Sequence, residues 1–329
     1  MTVTGYRSSG EGGPVHVVGA SGRSGAALCR ALAAAGRDYV PIVRARARWE
    51  ALGLPGTARI ADLEGDAQGG LLAGAATTGP GPAGTPSGAL AAALADARLI
   101  VSTAHARHAP ALLAAAPAEA RLVLLGSTRK FTRWPDRHAL GVLDGERALL
   151  ASGRSGVILH PTMIYGAEGE NNVRRLAAWL RRLPVLPLPG GGRSLVQPIY
   201  QDDVTRAVLA SLEVAWDGPH SLVIAGPEAI TYREFAAAVA RAFGLRPRRV
   251  LPVPAGALAA AARLSQALPG PLLPGLPPIG PEEVRRLCED KAFDIGPMRH
   301  LLGISPVPLR QGLAAMRAAA RPGGRVVLS

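Results

Sequence analysis

VHVVGASGRSG, residues 15–25, is a short apolar run that breaks into three glycines with the spacing G-x-x-G-x-x-G. An apolar pattern of helical period follows up to Gly36, so the stretch predicts a strand, a glycine turn and a helix. Gly19 permits a tight turn, Gly22 lets the backbone approach a phosphate, and Gly25 lets the helix pack closely on the strand. Free N–H groups at the helix start attract the anion. The stretch therefore predicts a dinucleotide site, with a glycine-rich turn that binds nothing as the alternative; its residues are Gly19, Ser21, Gly22, Arg23, Ser24 and Gly25.

Strand-like and helical runs alternate through the first half of the chain. The strand-like runs are residues 15–18, 39–43, 58–61, 99–102, 122–125 and 157–160, and the helical runs are residues 24–35, 90–95, 109–115 and 143–152. This order predicts an α/β fold of Rossmann type, a doubly wound parallel sheet with helices on both faces. Later helices are joined by Pro/Gly-rich segments, which predicts a smaller, mostly helical C-terminal substrate lobe.

These patterns divide the chain into three parts. Residues 1–13 are polar and glycine-rich, and we expect a disordered tail. Residues 14–165 form the predicted dinucleotide-binding domain, and residues 166–329 form the C-terminal lobe, with residues 195–213 returning to the sheet. Residues 65–88 are rich in Gly, Ala, Thr and Pro, which predicts a flexible surface insertion; a functional lid is the alternative.

The net charge of +13 does not indicate a nucleic-acid partner. Only two of the 37 basic residues are lysines, the arginines are scattered, and aromatic residues make up only 4% of the chain. No nucleic-acid-binding motif accompanies them. No signal-peptide pattern or apolar run of membrane-spanning length occurs, and two distant cysteines fit a reducing compartment. We expect a cytoplasmic protein without a bound metal or nucleic acid; peripheral contact with a membrane surface stays open.

Further motifs follow the glycine turn in a fixed order: Asp62-Leu63, then LGST at residues 125–128, HPTMIYG at 160–166, QPIYQDDV at 197–204, EDKAFD at 289–294 and LGISP at 302–306. With these motifs the chain resembles the extended, or atypical, short-chain dehydrogenase/reductase family, the NAD-dependent epimerase/dehydratase-like proteins. The resemblance implies a nicotinamide dinucleotide cofactor and a small-molecule substrate. It also implies cofactor contacts after the strands, at Asp62, Leu63, Ser102, Thr103, His160, Pro161 and Tyr165.

Active members of that family use a Tyr-x-x-x-Lys pair on the helix after the fifth strand, where the lysine lowers the pKa of the tyrosine. No tyrosine of this chain is followed by a lysine four residues later. Matching Gly145-Glu146 to the acidic end of that helix places His138 at the tyrosine position and Val142 at the lysine position. A plain loop histidine is the alternative for His138. The candidate catalytic residues are Ser127, Thr128 and His138.

The end of the second strand bears on the choice of dinucleotide. It carries Arg44, and no carboxylate occurs before Glu50. An NAD-selective site usually has an acidic residue there, whereas a guanidinium pairs with the 2′-phosphate of NADP. We therefore expect NADP, with NAD as the alternative. In the C-terminal lobe the candidate substrate contacts are Asn171, Asn172, Arg175 and Arg193, for which a solvated surface is the alternative.

Three functions fit these features. The first is an NAD(P)H-dependent oxidoreductase that reduces a small carbonyl, enone or quinone, including lipophilic ones. A polarised acceptor can take a hydride without the missing pair, because the cofactor carries that chemistry. The alternatives are a non-catalytic NADP-binding structural or regulatory protein and a sugar-nucleotide epimerase or dehydratase. The last is the hardest to reconcile with the sequence, because oxidation of a secondary alcohol needs a base.

Overall fold

The structure is a computed structural model that describes residues 13–63, 88–166, 172–267 and 280–319. Most of the predicted tail and insertion, and Asn171, lie outside these residues. The strands are β1 (Val15–Val18), β2 (Tyr39–Val43), β3 (Arg59–Ile60), β4 (Leu99–Ser102), β5 (Arg121–Leu125), β6 (Gly156–Pro161), β7 (Ile164–Tyr165), β8 (Val185–Pro189), β9 (Leu195–Val196), β10 (Ile199–Tyr200), β11 (Pro219–Ile224), β12 (Ile230–Thr231) and β13 (Arg249–Val253).

The α-helices are α1 (Arg23–Ala34), α2 (Arg46–Glu50), α3 (Gly88–Leu94), α4 (Ala109–Ala115), α5 (Arg137–Ala151), α6 (Asn172–Arg182), α7 (Gln201–Glu213), α8 (Tyr232–Ala242), α9 (Ala255–Ala267), α10 (Pro281–Arg286), α11 (Gly296–Leu302) and α12 (Leu309–Ala319). Short 3-10 turns follow β4 and β5, at Ala106–His108 and Thr128–Phe131. None of the helices in the described ranges is long and apolar enough to span a membrane.

Seven strands form the central sheet in the order β11-β6-β5-β4-β1-β2-β3. All its pairings are parallel. The strand order reverses between β1 and β4, and in such sheets ligands bind in the crevice outside the carboxyl ends of the strands at this point. The prediction of a Rossmann-type α/β fold with a doubly wound parallel sheet is confirmed.

Aliphatic side chains cover both faces of the sheet. Every residue of β1, β4 and β6 is buried. Such continuous burial is typical of parallel strands between two helical layers. On one face, Leu28 and Leu32 of α1 pack with Val208 of α7, and on the other Leu112 of α4 packs with Leu149 of α5. The two cores hold the carboxyl ends of the strands in a rigid frame.

The chain returns to the central sheet after residue 165. Residues 219–224, whose last four the sequence pattern assigned to the C-terminal lobe, form β11 and pair with β6. Residues 201–213 form α7, which packs on α1 and whose side chains Val204 and Leu212 join the core. A second core, which includes Tyr165 and Phe235, lies among α6, α8 and α12.

Two local expectations differ from the structure. Helix α5 begins at Arg137 rather than at residue 143, because Asp136 caps it by accepting a hydrogen bond from Ala139 N at 2.9 Å. Most of its first turn faces solvent, so the apolar period does not reveal it. Cys29 is buried as expected, whereas Cys288 is exposed and lies just after α10.

Helix α5 approaches the segment after β4 through two glycines. A Cβ on Gly145 would lie 2.0 Å from Ala106 O, and a Cβ on Gly141 would lie 3.0 Å from His105 Cε1. Since neither position has room for a side chain, backbone and ring are in direct contact there. This contact fixes residues 105–108 against the first half of α5.

We expect Gly145→Ala to lower the free energy of unfolding by about 2 kcal/mol or more, because the added methyl would overlap the Ala106 carbonyl. Urea unfolding is the measurement. Gly256→Ala is the matched control, since this helical glycine of α9 faces open space; it should stabilise by about 0.5–1 kcal/mol through helix propensity. Equal stability of Gly145→Ala and the unmodified protein would contradict the close contact.

Candidate functional site

The glycine turn after β1 is built by close backbone contacts. Gly19 has φ +79°, a left-handed conformation that favours glycine. A Cβ on Gly25 would lie 2.3 Å from Gly19 O, so α1 packs directly on the turn. A Cβ on Gly22 would meet only Gly19 O, at 3.1 Å, and Gly22 is exposed. The turn therefore presents bare backbone to the crevice at Gly22 and close packing behind it at Gly25.

The start of α1 is suited to an anion. Gly22 caps the helix without a side-chain hydrogen bond, and the first turn contains no acidic residue. The N–H groups of the first turn therefore keep their positive field for a ligand. Arg23 is exposed and Ser21 is half-buried, while Ser24 donates a hydrogen bond to Gln201 Oε1 at 3.1 Å. Ser24 thus ties the turn to α7.

Thr103 stabilises the same turn from the next strand. Its Oγ1 donates to Val18 O and is also 3.1 Å from Gly19 O, and its N–H donates to Val18 O at 2.9 Å. Ser102 is buried at the end of β4. These two residues shape the glycine turn, and the hydroxyl of Thr103 is occupied by the turn itself.

The residues expected at the adenosine end follow β2 and β3, which are paired with Val43 opposite Ile60. Arg44 is exposed directly after β2. Asp62 and Leu63 follow β3 and are half-buried. The sheet register therefore brings the segments carrying these residues to one corner of the carboxyl edge, next to the glycine turn.

Ser127 and Thr128 separate into different environments at the end of β5. Ser127 is half-buried, and its Oγ accepts a hydrogen bond from Arg129 N at 3.1 Å, which leaves its O–H free to donate. Thr128 is buried and donates to Pro161 O at 3.2 Å. The expectation that Thr128 contacts substrate is therefore wrong, because its hydroxyl is committed inside the protein.

His138 lies on the exposed first turn of α5 and contacts a histidine that sequence reasoning missed. The rings of His105 and His138 are edge to face, with centroids 4.0 Å apart. Burial lowers the pKa of His105 to about 4, and the charge of His138 lowers it further. Burial and then the charge of Arg129 lower the pKa of His138. Both rings are therefore neutral at pH 7.

A buried polar cluster lies behind Ser127. Glu146 of α5 accepts hydrogen bonds from Lys130 Nζ and Ser221 Oγ, and its Oε1 lies 3.3 Å from Nε2 of the fully buried His160. Burial would raise the pKa of Glu146, but the hydrogen bonds from Lys130 and Ser221 outweigh it and lower the pKa. Glu146 is therefore an ionised carboxylate that links η-type turn, helix and sheet edge through Lys130, His160 and Ser221.

His160 connects this cluster to Ser127. Its Nδ1 accepts a hydrogen bond from Ser127 N at 3.2 Å, so the neutral ring carries its proton on Nε2, which faces Glu146. The angle at Nε2 is too poor for a hydrogen bond, and the contact to Glu146 is electrostatic. A Cβ on Gly126 would lie 2.4 Å from His160 Nδ1, so only glycine allows this approach.

Burial also corrects three expected cofactor contacts. The side chains of His160 and Tyr165 are fully buried, and Pro161 is buried at the end of β6. Tyr165 packs on Tyr200, and Gly312 approaches its hydroxyl so closely that a Cβ there would lie 2.1 Å away. These side chains therefore position the crevice wall instead of contacting a ligand.

The expected substrate residues of the C-terminal lobe do not form one cluster. Arg175 is paired with Glu283, with nitrogen–oxygen distances of 2.9 and 3.0 Å. Asn172 is exposed at the start of α6, and Arg193 is exposed after the glycines at residues 190–192. Within the described residues no group of three or more His, Cys, Asp or Glu could hold a metal ion.

Two sequence signals could have revealed the missed residues. His105 comes shortly after a strand, at the edge where this fold binds ligands. Lys130 is one of two lysines in an arginine-rich chain, and it is nearly buried beside Glu146. The third member of that cluster, Ser221, carries no such signal, because only the pairing of β11 with β6 brings it there.

No protein-family model matches the chain. Among curated proteins it is similar to the uncharacterized protein y4nG of Sinorhizobium fredii, with 28% identity over 161 residues that cover 49% of this chain. The matched segment spans only 38% of that relative's length.

Solved structures resemble the whole chain. NADPH-dependent quinone oxidoreductase QOR2 from Escherichia coli, complexed with NADPH, has a TM-score of 0.66 and 20% identity, and the match covers 92% of this chain and 99% of that one. UDP-glucuronic acid 4-epimerase from Bacillus cereus, complexed with UDP-glucuronic acid and NAD, has a TM-score of 0.63 and 17% identity, with 92% and 98% covered. The chain thus has the Rossmann-type fold of these dinucleotide-dependent enzymes.

We predict that His160→Asn weakens the pH dependence of stability. Burial, followed by the charge of Lys130, lowers the pKa of His160 to about 4. The unfolded chain therefore takes up a proton near pH 6.5 that the folded protein does not accept until about pH 4. Stability is full above pH 6.5 and falls as the pH drops towards 4, by about 2 kcal/mol from this residue between pH 7 and 5.

Urea unfolding at pH 7 and pH 5 measures this effect. His160→Asn should be less stable than the unmodified protein at pH 7 yet lose less stability on acidification, because asparagine does not titrate. The other histidines titrate in both proteins and cancel in the comparison. An unchanged slope would show that His160 is not held neutral by the fold.

Proposed function

We propose that the protein is an NADPH-dependent oxidoreductase that reduces a small, lipophilic carbonyl, enone or quinone. The observation that carries this proposal is the glycine turn, where Gly22 leaves bare backbone in front of the uncapped start of α1. The Ser127 hydroxyl lies at the end of β5, on the same edge of the sheet. This arrangement places a dinucleotide phosphate and a substrate-facing hydroxyl in one crevice.

The described residues fit a dinucleotide. Gly19, Gly22 and Gly25 would hold the pyrophosphate through backbone N–H groups, and Arg44 would pair with a 2′-phosphate. When bound, NADPH supplies the hydride. The chain's own residues orient the acceptor, exclude water and donate hydrogen bonds to it. The similarity to a structure of a quinone oxidoreductase complexed with NADPH supports this assignment.

The missing pair argues for reduction of a polarised acceptor. Val142, at the position matched to the family's lysine, is almost fully buried and cannot hold a ribose hydroxyl. With both His105 and His138 held neutral, no group at this edge of the sheet resembles a tyrosinate that could take the proton of a sugar alcohol. A quinone or enone needs no such base, because its oxygen is protonated after hydride addition.

The rim of the crevice favours a lipophilic acceptor. Phe131 and Trp134 are the two exposed aromatic side chains in the described ranges, and both belong to the loop that carries Ser127. Phe131 packs against Phe293 with centroids 5.4 Å apart, and the Arg285 guanidinium lies 5.5 Å from the Trp134 ring centre. In a chain with 4% aromatic residues, this concentration suits a planar, apolar ligand.

We predict NADPH consumption with some quinones or enones and no oxidation of UDP-sugars. Ser127→Ala should slow the reaction roughly tenfold, because a hydrogen-bond donor to the acceptor is lost. Gly22→Val should abolish both NADPH binding and turnover, since its side chain would occupy the phosphate position. Gly218→Val is the control, because a Cβ there meets nothing within 4 Å.

Firm NADPH binding without turnover across a broad acceptor panel would favour the non-catalytic, structural or regulatory protein. Robust epimerisation of a UDP-sugar would contradict the assigned chemistry. Unimpaired NADPH binding by a folded Gly22→Val variant would contradict the assignment of the glycine turn itself.

Arg44→Ala should weaken NADPH binding about tenfold or more and leave NADH binding nearly unchanged, because only NADPH carries the 2′-phosphate. Fluorescence titration with both dinucleotides measures it. Arg48→Ala is the matched control, because this exposed arginine lies further along the same segment, in α2. If the preference for NADPH is absent, or survives in Arg44→Ala, the residue is only a surface arginine.

A further inference from the structure

Two buried hydrogen-bond donors lie on neighbouring segments at the carboxyl edge of the sheet. His105 Nε2 and Arg129 Nε are shielded from water and have no acceptor in the part of the chain that the structure describes. His105 follows β4 and Arg129 follows β5, and these two strands are paired. Because an unpaired buried donor costs about 1–3 kcal/mol, such groups in a native protein call for an explanation.

The tautomer of His105 makes it a donor. Its Nδ1 accepts the N–H of Arg107 at 3.1 Å, so the proton of the neutral ring lies on Nε2. Burial holds the ring neutral at pH 7, since it lowers the pKa to about 4. A neutral imidazole held in this way donates a hydrogen bond without losing its proton to the acceptor.

The Arg129 guanidinium is held from one side. Its Nη2 donates to Asp136, the residue that caps α5 through Ala139 N. This contact leaves Nε, on another edge of the guanidinium, without an acceptor. The charge of Arg129 acts on the rings of both His105 and His138. The two unpaired donors therefore belong to the same electropositive part of the crevice.

His138 covers this part of the crevice. It is exposed on the first turn of α5, and its ring packs edge to face on the half-buried ring of His105. Gly141, one turn later, keeps α5 close enough for that contact, since a Cβ there would lie 3.0 Å from His105 Cε1. A rotamer change of His138 would open His105 to a ligand without moving the backbone.

We propose that His105 Nε2–H and Arg129 Nε–H form an oxyanion site that binds the oxygen of the acceptor, with His138 as its movable cover. Its ligands are carbonyl oxygens that become enolates or phenolates, and phenolates themselves. The reductive role rests on the proposed function. As a hydride adds to the acceptor carbon, an electron pair moves onto this oxygen, which then takes a proton from water and leaves hydroxide, while NADPH is oxidised to NADP⁺.

The site explains how reduction proceeds without the tyrosine of related enzymes. Preorganised donors lower the energy of a developing oxyanion and need no titratable phenol. Arg129 adds a fixed positive charge beside the neutral imidazole of His105. His105 is thus a proposed catalytic residue, and Asp136 is a positioning residue that acts through Arg129.

Binding of 4-nitrophenol tests the site independently of turnover, because its anion has a visible absorbance that the phenol lacks. We expect the ratio of bound phenolate to phenol, at a given pH, to exceed that in buffer by about tenfold or more, a pKa shift of at least one unit. The titration is made on the full chain, with and without NADP⁺. His105→Phe and Arg129→Gln should each abolish the shift.

Arg133→Gln is the matched control, because Arg133 is an exposed arginine on the same loop, and it should keep the shift. Retention of the shift in folded His105→Phe and Arg129→Gln variants would overturn the proposal. So would its absence from the unmodified protein while quinones are reduced. A shift that depends on His105 and Arg129, together with no NADPH turnover, would support the oxyanion site and count against the proposed function alone.

Discussion

Direct backbone packing at glycines governs the carboxyl edge of the sheet. Gly25 brings α1 onto the carbonyl of Gly19, and Gly145 brings α5 onto the carbonyl of Ala106. Each contact leaves no room for a Cβ, so the two helices and the segments after β1 and β4 have a single relative position. The glycine turn at the mouth of the crevice and the His105–His138 pair both depend on it. The site is therefore held by main chain rather than by adaptable side chains.

Behind the crevice, charge takes over the role that close packing has at its mouth. The buried carboxylate of Glu146 compensates Lys130 and faces the proton on His160 Nε2. That arrangement leaves His160 Nδ1 as an acceptor for the N–H of Ser127. A buried charge pair contributes less to stability than to defining one arrangement, because desolvation offsets most of its attraction. Its consequence here is a fixed backbone at Ser127, the proposed contact to the acceptor.

The proposed chemistry follows from what these two frames leave unpaired. The start of α1 keeps its N–H groups, Ser127 keeps its O–H, and His105 and Arg129 keep buried donors without acceptors among the described residues. All of them are donors, and none is a base of the strength that alcohol oxidation requires. A crevice lined in this way suits phosphate on one side and an oxygen that gains negative charge on the other.

The sequence by itself determined the Rossmann-type sheet and the glycine turn, because apolar periodicity and glycine spacing are local and survive in any one segment. It also exposed the missing tyrosine–lysine pair. Only the tertiary structure decided which candidates face the crevice, withdrawing Thr128, His160 and Tyr165 and adding His105. The reason is distance along the chain: Ser221 and Glu146 are 75 residues apart, and only the order of strands in the sheet makes them neighbours. No local pattern encodes such a meeting.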